Sequence, residues 1–220
     1  MKPMEYLFMQ MRLEGIRLNR EGLLTSLSAE CDDLPLALFV KSSDGQTASF
    51  FSEATSPELR ETLNQSGKEI PFPDSRPKPV LISNAGVAIR IELYKTYRFP
   101  EKIPGPETAA LRYLSKNDPR IVDFGFGGFA DEVYAVEEGG AIVSACVSAR
   151  QNAECAEAWV YTAGTHRRRG LAQQAVRAWS REMQARNLIP FFSHKMENIA
   201  SAGLAGKMEL IPVFEEITIR

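Results

Sequence analysis

The sequence predicts a mixed α/β fold, α+β in element order, and three observations in its second half predict it. Residues 132–136, 141–149 and 157–162 are successive runs of strand pattern. A long helical pattern follows from about residue 169 to 186, with Ala172, Ala175, Val176, Trp179 and Met183 on one face. Residues 189–193, 198–207 and 213–219 then read as strand, shorter helix and last strand. Three strands, helix, strand, helix, strand builds a mixed sheet flanked by helices. A doubly wound parallel fold would alternate strictly.

Residues 1–100 read as an α+β N-terminal extension or second domain. The apolar run 36–41 is bounded by Pro35 and by Ser42, Ser43, Asp44 and Gly45, a strand followed by a turn, with 47–51 returning. Ser56, Pro57 and Glu58 before Leu59 and Leu63 form a helix start, with a cap, a first-position proline and an acid in the first turn. Residues 70–79 hold four prolines and read as a surface connection, and 87–94 alternate as a strand. The proline-rich stretch 99–106 marks the boundary, giving a region 1–100 and a domain 101–220. Within the domain, 107–116 reads as a helix, and Glu138, Gly139 and Gly140 as a hairpin turn. Phe124, Phe126 and Phe129 sit among glycines. They read as core rings on a turn, with a flexible aromatic lid or substrate loop as the alternative.

Composition narrows the function. The 220 residues are 44% apolar and 25% charged, ordinary for a folded domain. The longest apolar run is five residues, Leu36 to Val40, far short of the roughly 20 that cross a bilayer. With no leader-like N-terminus, the expected location is cytoplasmic and no membrane partner is expected. Three cysteines, Cys31, Cys146 and Cys155, with no Cys-x-x-Cys spacing, suit a reducing compartment. Only His166 and His194 are present, and no metal site is expected. A net charge of −2 gives no global field for nucleic acid, so no nucleic-acid partner is expected.

The junction 160–172 carries the chemistry. Six arginines and one acid lie between positions 167 and 186. Arg167, Arg168 and Arg169 stand at a helix N-terminus, which already carries about half a positive charge and unpaired N–H groups. The conflict resolves when an anion docks there, against amides and guanidinium groups together. Gly170 lets the backbone approach such an anion closely. An exposed, solvated arginine turn is the plainer alternative.

A strand, a short loop, Arg167-x-x-Gly170-x-Ala172 and an amphipathic helix together resemble the acetyl-CoA-binding segment of the GNAT superfamily of N-acetyltransferases. Asn198, Ser201, Lys207 and Leu210 stand in register with a second family pattern, and the resemblance spans about residues 107–220. It implies a splayed, GNAT-like sheet with acetyl-CoA as acetyl donor. The backbone of Val160, Tyr161 and Thr162 would lie beside the pantetheine arm. The diphosphate would sit on the turn Arg167, Arg168, Arg169, Gly170, Leu171 and Ala172, with Asn198 and Ser201 near the thiol end. Glu157, three residues before Val160, is the candidate base, because similar members carry a glutamate on this strand. The family tyrosine that protonates the thiolate aligns with Ala205, so Ser201 is the candidate acid, with Tyr161 and His194 as alternatives. Glu209-Leu210 replaces the usual Gly-Phe.

The leading expectation is an acetyl-CoA-dependent N-acetyltransferase acting on a small-molecule or peptide amine, with region 1–100 shaping the acceptor site. A homodimer would suit the family. A non-catalytic acyl-CoA-binding sensor is the alternative, and a nucleic-acid-binding arginine cluster ranks third.

Overall fold

The computed structural model describes residues 1–27, 34–69, 90–103, 105, 111–115, 117–129 and 132–220, with backbone alone at 66–69. In chain order the elements are α1 (Pro3–Leu13), β1 (Ile16–Leu18), β2 (Leu24–Ser26), β3 (Ala37–Ser42), β4 (Thr47–Phe51), α2 (Pro57–Glu69), β5 (Ile91–Arg98), β6 (Leu111–Leu114), α3 (Pro119–Asp123), β7 (Val133–Glu138), β8 (Ala141–Gln151), β9 (Cys155–Thr162), α4 (Leu171–Ala185), β10 (Ile189–Lys195), α5 (Ile199–Lys207) and β11 (Ile211–Ile219). Two compact units form. The first is Met1–Thr96 with His194–Glu197 and Pro212–Arg220, and the second is Tyr97–Ser193 with Asn198–Ile211.

The first unit holds strands in the order β4-β3-β11-β5. β3 pairs antiparallel with both β4 and β11. Arg90 and Arg220 exchange backbone bonds at 2.8 and 2.9 Å at the β5 edge of β11. α1 starts at a first-position proline, and Glu5 turns back to accept the Lys2 N–H at 2.8 Å. Leu7 and Met11, four apart, are buried with Leu38, Val40 and Phe214. Ser56 caps α2 through the Leu59 N–H, and Leu63 packs with Phe39 and Ile217.

The second unit is a mixed sheet, in the order β10-β9-β8-β7-β6, flanked by helices. β10 runs parallel to β9, and the remaining pairs are antiparallel. α4 covers one face through Leu171, Ala175, Val176, Trp179 and Met183, packed with Ala156, Ala158 and Phe192. The other face holds Ile121, Phe126, Val133, Ala145 and Val147. Trp179 is fully buried, and its Nε1–H donates to Ser148 Oγ at 3.0 Å. Ser148→Ala leaves that indole N–H buried without its acceptor. The expected cost is about 1–3 kcal/mol, read as a lower denaturant midpoint with unchanged slope.

The sequence expectations meet one reversal. Residues 107–116 were expected to be helical, but Leu111–Leu114 is a strand that pairs with β7, placing Tyr113 opposite Tyr134. Their rings meet edge to face at 5.2 Å. Cross-strand packing on β7 here overrides local helix propensity. Positions 107–110 and 116 lie outside the described residues, as do the connection 70–79, residues 87–89 of the expected strand and Cys31. The described part of that strand runs on to Arg98.

Cys146 and Cys155 are buried and in no disulfide, and burial pushes the Cys146 thiol well above its ordinary pKa. Among the described residues, no helix is long and apolar enough to cross a membrane, and no group of three His, Cys, Asp or Glu is placed to hold a metal ion.

Candidate active site

The site begins where two strands part. The parallel ladder registers Ile189, Pro190 and Phe191 with Cys155, Ala156 and Glu157, and ends there, so 158–162 of β9 keep only β8 as a neighbour. The direction of their free groups follows from the antiparallel pairing. The Ala163 N–H donates to Val143 O at 2.9 Å, and bonded and non-bonded pairs alternate along such a ladder. Trp159 and Tyr161 therefore bond toward β8. The N–H and C=O of Val160 and Thr162 point the other way, into the gap. Thr162 is steadied by Ser144, whose Oγ lies 2.8 Å from Thr162 Oγ1, and its carbonyl accepts from Arg167 Nε at 3.3 Å.

Beyond β9 the chain makes one 3-10 turn at Gly164–His166 and enters α4 through Gly170. Gly170 sits at φ +78° as a cap with no side chain to bond the helix amides. The Gln174 N–H is the first to find a carbonyl one turn back, that of Gly170 at 3.2 Å. The amides of Leu171, Ala172 and Gln173 thus face outward as a positive helix terminus. Arg168 also holds a left-handed φ, +64°, which costs a non-glycine residue about 1–2 kcal/mol. Such strain concentrates at functional sites.

These elements and α5 enclose a cleft of about 760 Å³. Val160, Tyr161 and Thr162 form one wall, and Arg167, Arg168, Gly170, Leu171 and Ala172 form another. Asn198 and Ser201 line the third, where Asn198 caps α5 by accepting the Ser201 N–H at 3.1 Å. His166, Arg167, Arg168 and Lys207 line the cleft with no carboxylate among them. Outward amides, cations and an absence of acids in the wall together fit an anionic ligand with an extended, amide-bearing arm.

Three expected site residues are not among those that line this cleft. The Arg169 guanidinium is turned onto Glu138 of the β7–β8 turn, with paired bonds of 2.9 and 2.7 Å. A bidentate carboxylate is a better partner for that fork than a crowd of like charges. Glu157 is 8% exposed at the point where β9 and β10 separate. Its Oε2 accepts from Arg150 Nη1 at 3.1 Å. Its face of β9 also carries Trp159 and Tyr161. His194 belongs to the first unit, bonds the Lys195 carbonyl through Nδ1 at 2.9 Å, and has its pKa pushed down by burial.

Ala205, at the family tyrosine position, is 1% exposed and packed in the α4 core, so it presents nothing to the cleft. Sequence reasoning passed over His166, Gln173, Ile199, Ala200, Gly203 and Leu204, which also line the wall. Ala200, Gly203, Leu204 and Lys207 fall at three- and four-residue spacing, the signal that marks one face of α5.

The sequence model of the GNAT acetyltransferase family matches residues 126–214. A protein assigned to the GNAT family of acetyltransferases from Novosphingobium aromaticivorans is similar at TM-score 0.52 and 18% identity, over 59% of this chain. The chain spans 64% of the length of that structure. A GCN5-related N-acetyltransferase-like protein from Streptococcus suis is similar at TM-score 0.51 and 14% identity, covering 93% of this chain and 88% of its own. A GNAT-family acetyltransferase from Colwellia psychrerythraea gives 0.50 and 13%, covering 85% and 81%. At these identities the likeness is one of fold. No curated protein sequence matches the chain.

Proposed function

From a chain whose residues 126–214 match the sequence model of the GNAT acetyltransferase family, we infer an N-acetyltransferase that moves the acetyl group of acetyl-CoA to an amine by direct attack in a ternary complex. The observation that carries this reading is the cleft, where a parted strand edge leads onto an uncapped helix terminus and no wall residue is acidic. The Val160 and Thr162 backbone would hold the pantetheine amides as a neighbouring strand would. The amides of Arg168 to Gln173, with Arg167 and Arg168, would hold the diphosphate. Asn198 and Ser201 would line the thiol end.

Acetyl-CoA supplies a thioester carbonyl, and the chain's task is to present a neutral amine to it. An alkylamine with pKa near 10.4 is mostly protonated at neutral pH, so a base must take its proton. Glu157 supplies that base through Oε1, which has no hydrogen bond among the described residues, while Arg150 fixes Oε2. The nitrogen–carbon bond forms, the carbon–sulfur bond breaks, and the sulfur leaves with the electron pair. Ser201 and Tyr161 both line the cleft and carry a hydroxyl that would return a proton to the sulfur. A thiol of pKa about 8.5 also leaves tolerably as its anion.

The burial of Ala205 favours one second reading, a non-catalytic acyl-CoA sensor. Thiol release from acetyl-CoA across a panel of primary amines separates the two. Amine-dependent release supports transfer. Tight acetyl-CoA binding with no release for any amine supports the sensor.

A further inference from the structure

The face of β9 that bears Glu157 carries an aromatic surface that acetyl-CoA binding leaves unexplained. Trp159 is 40% exposed and Tyr161 is 41% exposed. The turn after α3 packs three phenylalanines against them. Phe124 meets Tyr161 edge to face at 5.4 Å, Phe126 lies 4.6 Å from Trp159, and Phe129 lies 4.8 Å from Trp159. The five rings are contiguous, since Phe126 also contacts Phe124 at 5.6 Å and Phe129 at 5.8 Å.

This surface is built to hold its shape. The Gly125 N–H donates to Val122 O at 3.0 Å, and the Phe126 N–H donates to Ile121 O at 2.9 Å, the paired bonds that close a helix on a left-handed residue. Gly125 is that residue, at φ +88°. Phe126 is 1% exposed and anchors the turn in the core, which leaves Phe124 and Phe129 half-buried beside Trp159 and Tyr161. The turn is therefore an aromatic shelf closed by its own backbone bonds, with one of the three rings, Phe126, in the core.

Two observations say what would lie on it. The first is continuity, because Tyr161 belongs both to the shelf and to the cleft wall, and Glu157 stands on the same strand face two residues before Trp159. A molecule on the rings is thus beside the proposed base and the proposed donor site. The second is charge. On the elements that carry the shelf, Glu157 is paired with Arg150, Asp118 and Glu137 with Arg120, and Glu138 with Arg169. Asp123 is the one acid of these elements with no such partner among the described residues. Among the described residues, a ligand with several ammonium groups finds one unpaired carboxylate, Asp123, together with Glu157 and four accessible rings.

We propose that this shelf is the acceptor subsite and that it takes a small monoamine bearing an aromatic or bulky apolar group. The inference rests on the acetyl-transfer reading above. The apolar group would stack on Trp159 and Tyr161, where ring–ring contact adds to area burial. The single ammonium would approach over the ring faces, which attract cations, and lose its proton to Glu157.

The test measures kcat and KM for 2-phenylethylamine, spermidine and kanamycin with the full chain, together with acetyl-CoA affinity by calorimetry. It uses wild type, Trp159→Ala and Trp159→Phe, each checked for an unchanged unfolding midpoint. The expected result is a kcat/KM for 2-phenylethylamine at least tenfold above either polycation. Trp159→Ala should lower that value roughly tenfold through KM, the range one apolar contact supplies. Trp159→Phe should restore most of it, and acetyl-CoA affinity should stay the same in both. Preference for a polycation, or no change in Trp159→Ala, overturns the subsite. Acetyl-CoA binding with no turnover of 2-phenylethylamine also overturns it and leaves the cofactor site standing. Absence of acetyl-CoA binding removes the underlying reading and the inference with it.

Discussion

Gly170→Glu is expected to weaken acetyl-CoA binding at least 100-fold, about 2.7 kcal/mol or more, while the chain still folds. A Cβ at this position meets only Gln173 Oε1, at 3.7 Å, so no atom is displaced. The φ of +78° is the obstacle, since a residue with a side chain in that conformation costs about 1–2 kcal/mol. The new carboxylate also stands at the open amides of α4 and competes there as a built-in anion. It would repel the diphosphate and place the first acid among His166, Arg167, Arg168 and Lys207. Gly170→Ala carries the backbone strain without the charge and should lose far less affinity. Calorimetric titration of both variants checks the pair. Equal losses would mean that backbone shape alone makes the site.

Glu157→Gln is expected to lower kcat by about 10²–10⁴, the usual contribution of a positioned base, with acetyl-CoA affinity unchanged. Glutamine keeps an oxygen for Arg150 Nη1 and nearly the same volume, so the junction of β9 and β10 retains its packing. What is lost is the ability to accept a proton. Because the group acts on the amine, raising pH toward the amine pKa should recover part of the variant's rate, as solvent deprotonates the nucleophile. Steady-state rates between pH 7 and 10 check this. A variant as fast as wild type at pH 7 would move the base elsewhere.

The sequence made the second unit legible through periodicity. α4 buries four of the five residues expected on its apolar face, with Leu171 in place of Ala172, which lines the cleft. The strands around it lie within a few residues of their expected bounds, because helix and strands alike are half-buried elements whose pattern records the burial. The arginine turn was legible through electrostatics, since three cations at a helix terminus demand an anion or a displaced side chain. The structure shows the displaced side chain at one of the three positions. Arg167 and Arg168 line the cleft, and Arg169 leaves it for Glu138, a partner 31 positions away that no local pattern reveals.

Other features lay beyond local pattern. β6 read as helix because its strand state is set by β7, and its edge pairing buries Leu114 while leaving Tyr113 on the partner ring. α1 carried a readable signal in Pro3, Glu5, Leu7 and Met11 that the reading of residues 1–100 passed over. The aromatic shelf was visible only in half. Alternation placed Glu157, Trp159 and Tyr161 on one face, but the phenylalanines reach them from a turn 30 to 37 residues earlier.

The most direct test is calorimetric titration of the full wild-type chain with acetyl-CoA, paired with thermal unfolding in its presence. Binding of the diphosphate at the α4 terminus predicts a saturable one-site isotherm, weakened by salt as the cationic wall is screened. It also predicts stabilisation of about 2.7 kcal/mol at one hundred times the dissociation constant. No binding heat and an unmoved melting temperature would contradict it, and the open helix terminus would then need a different anion.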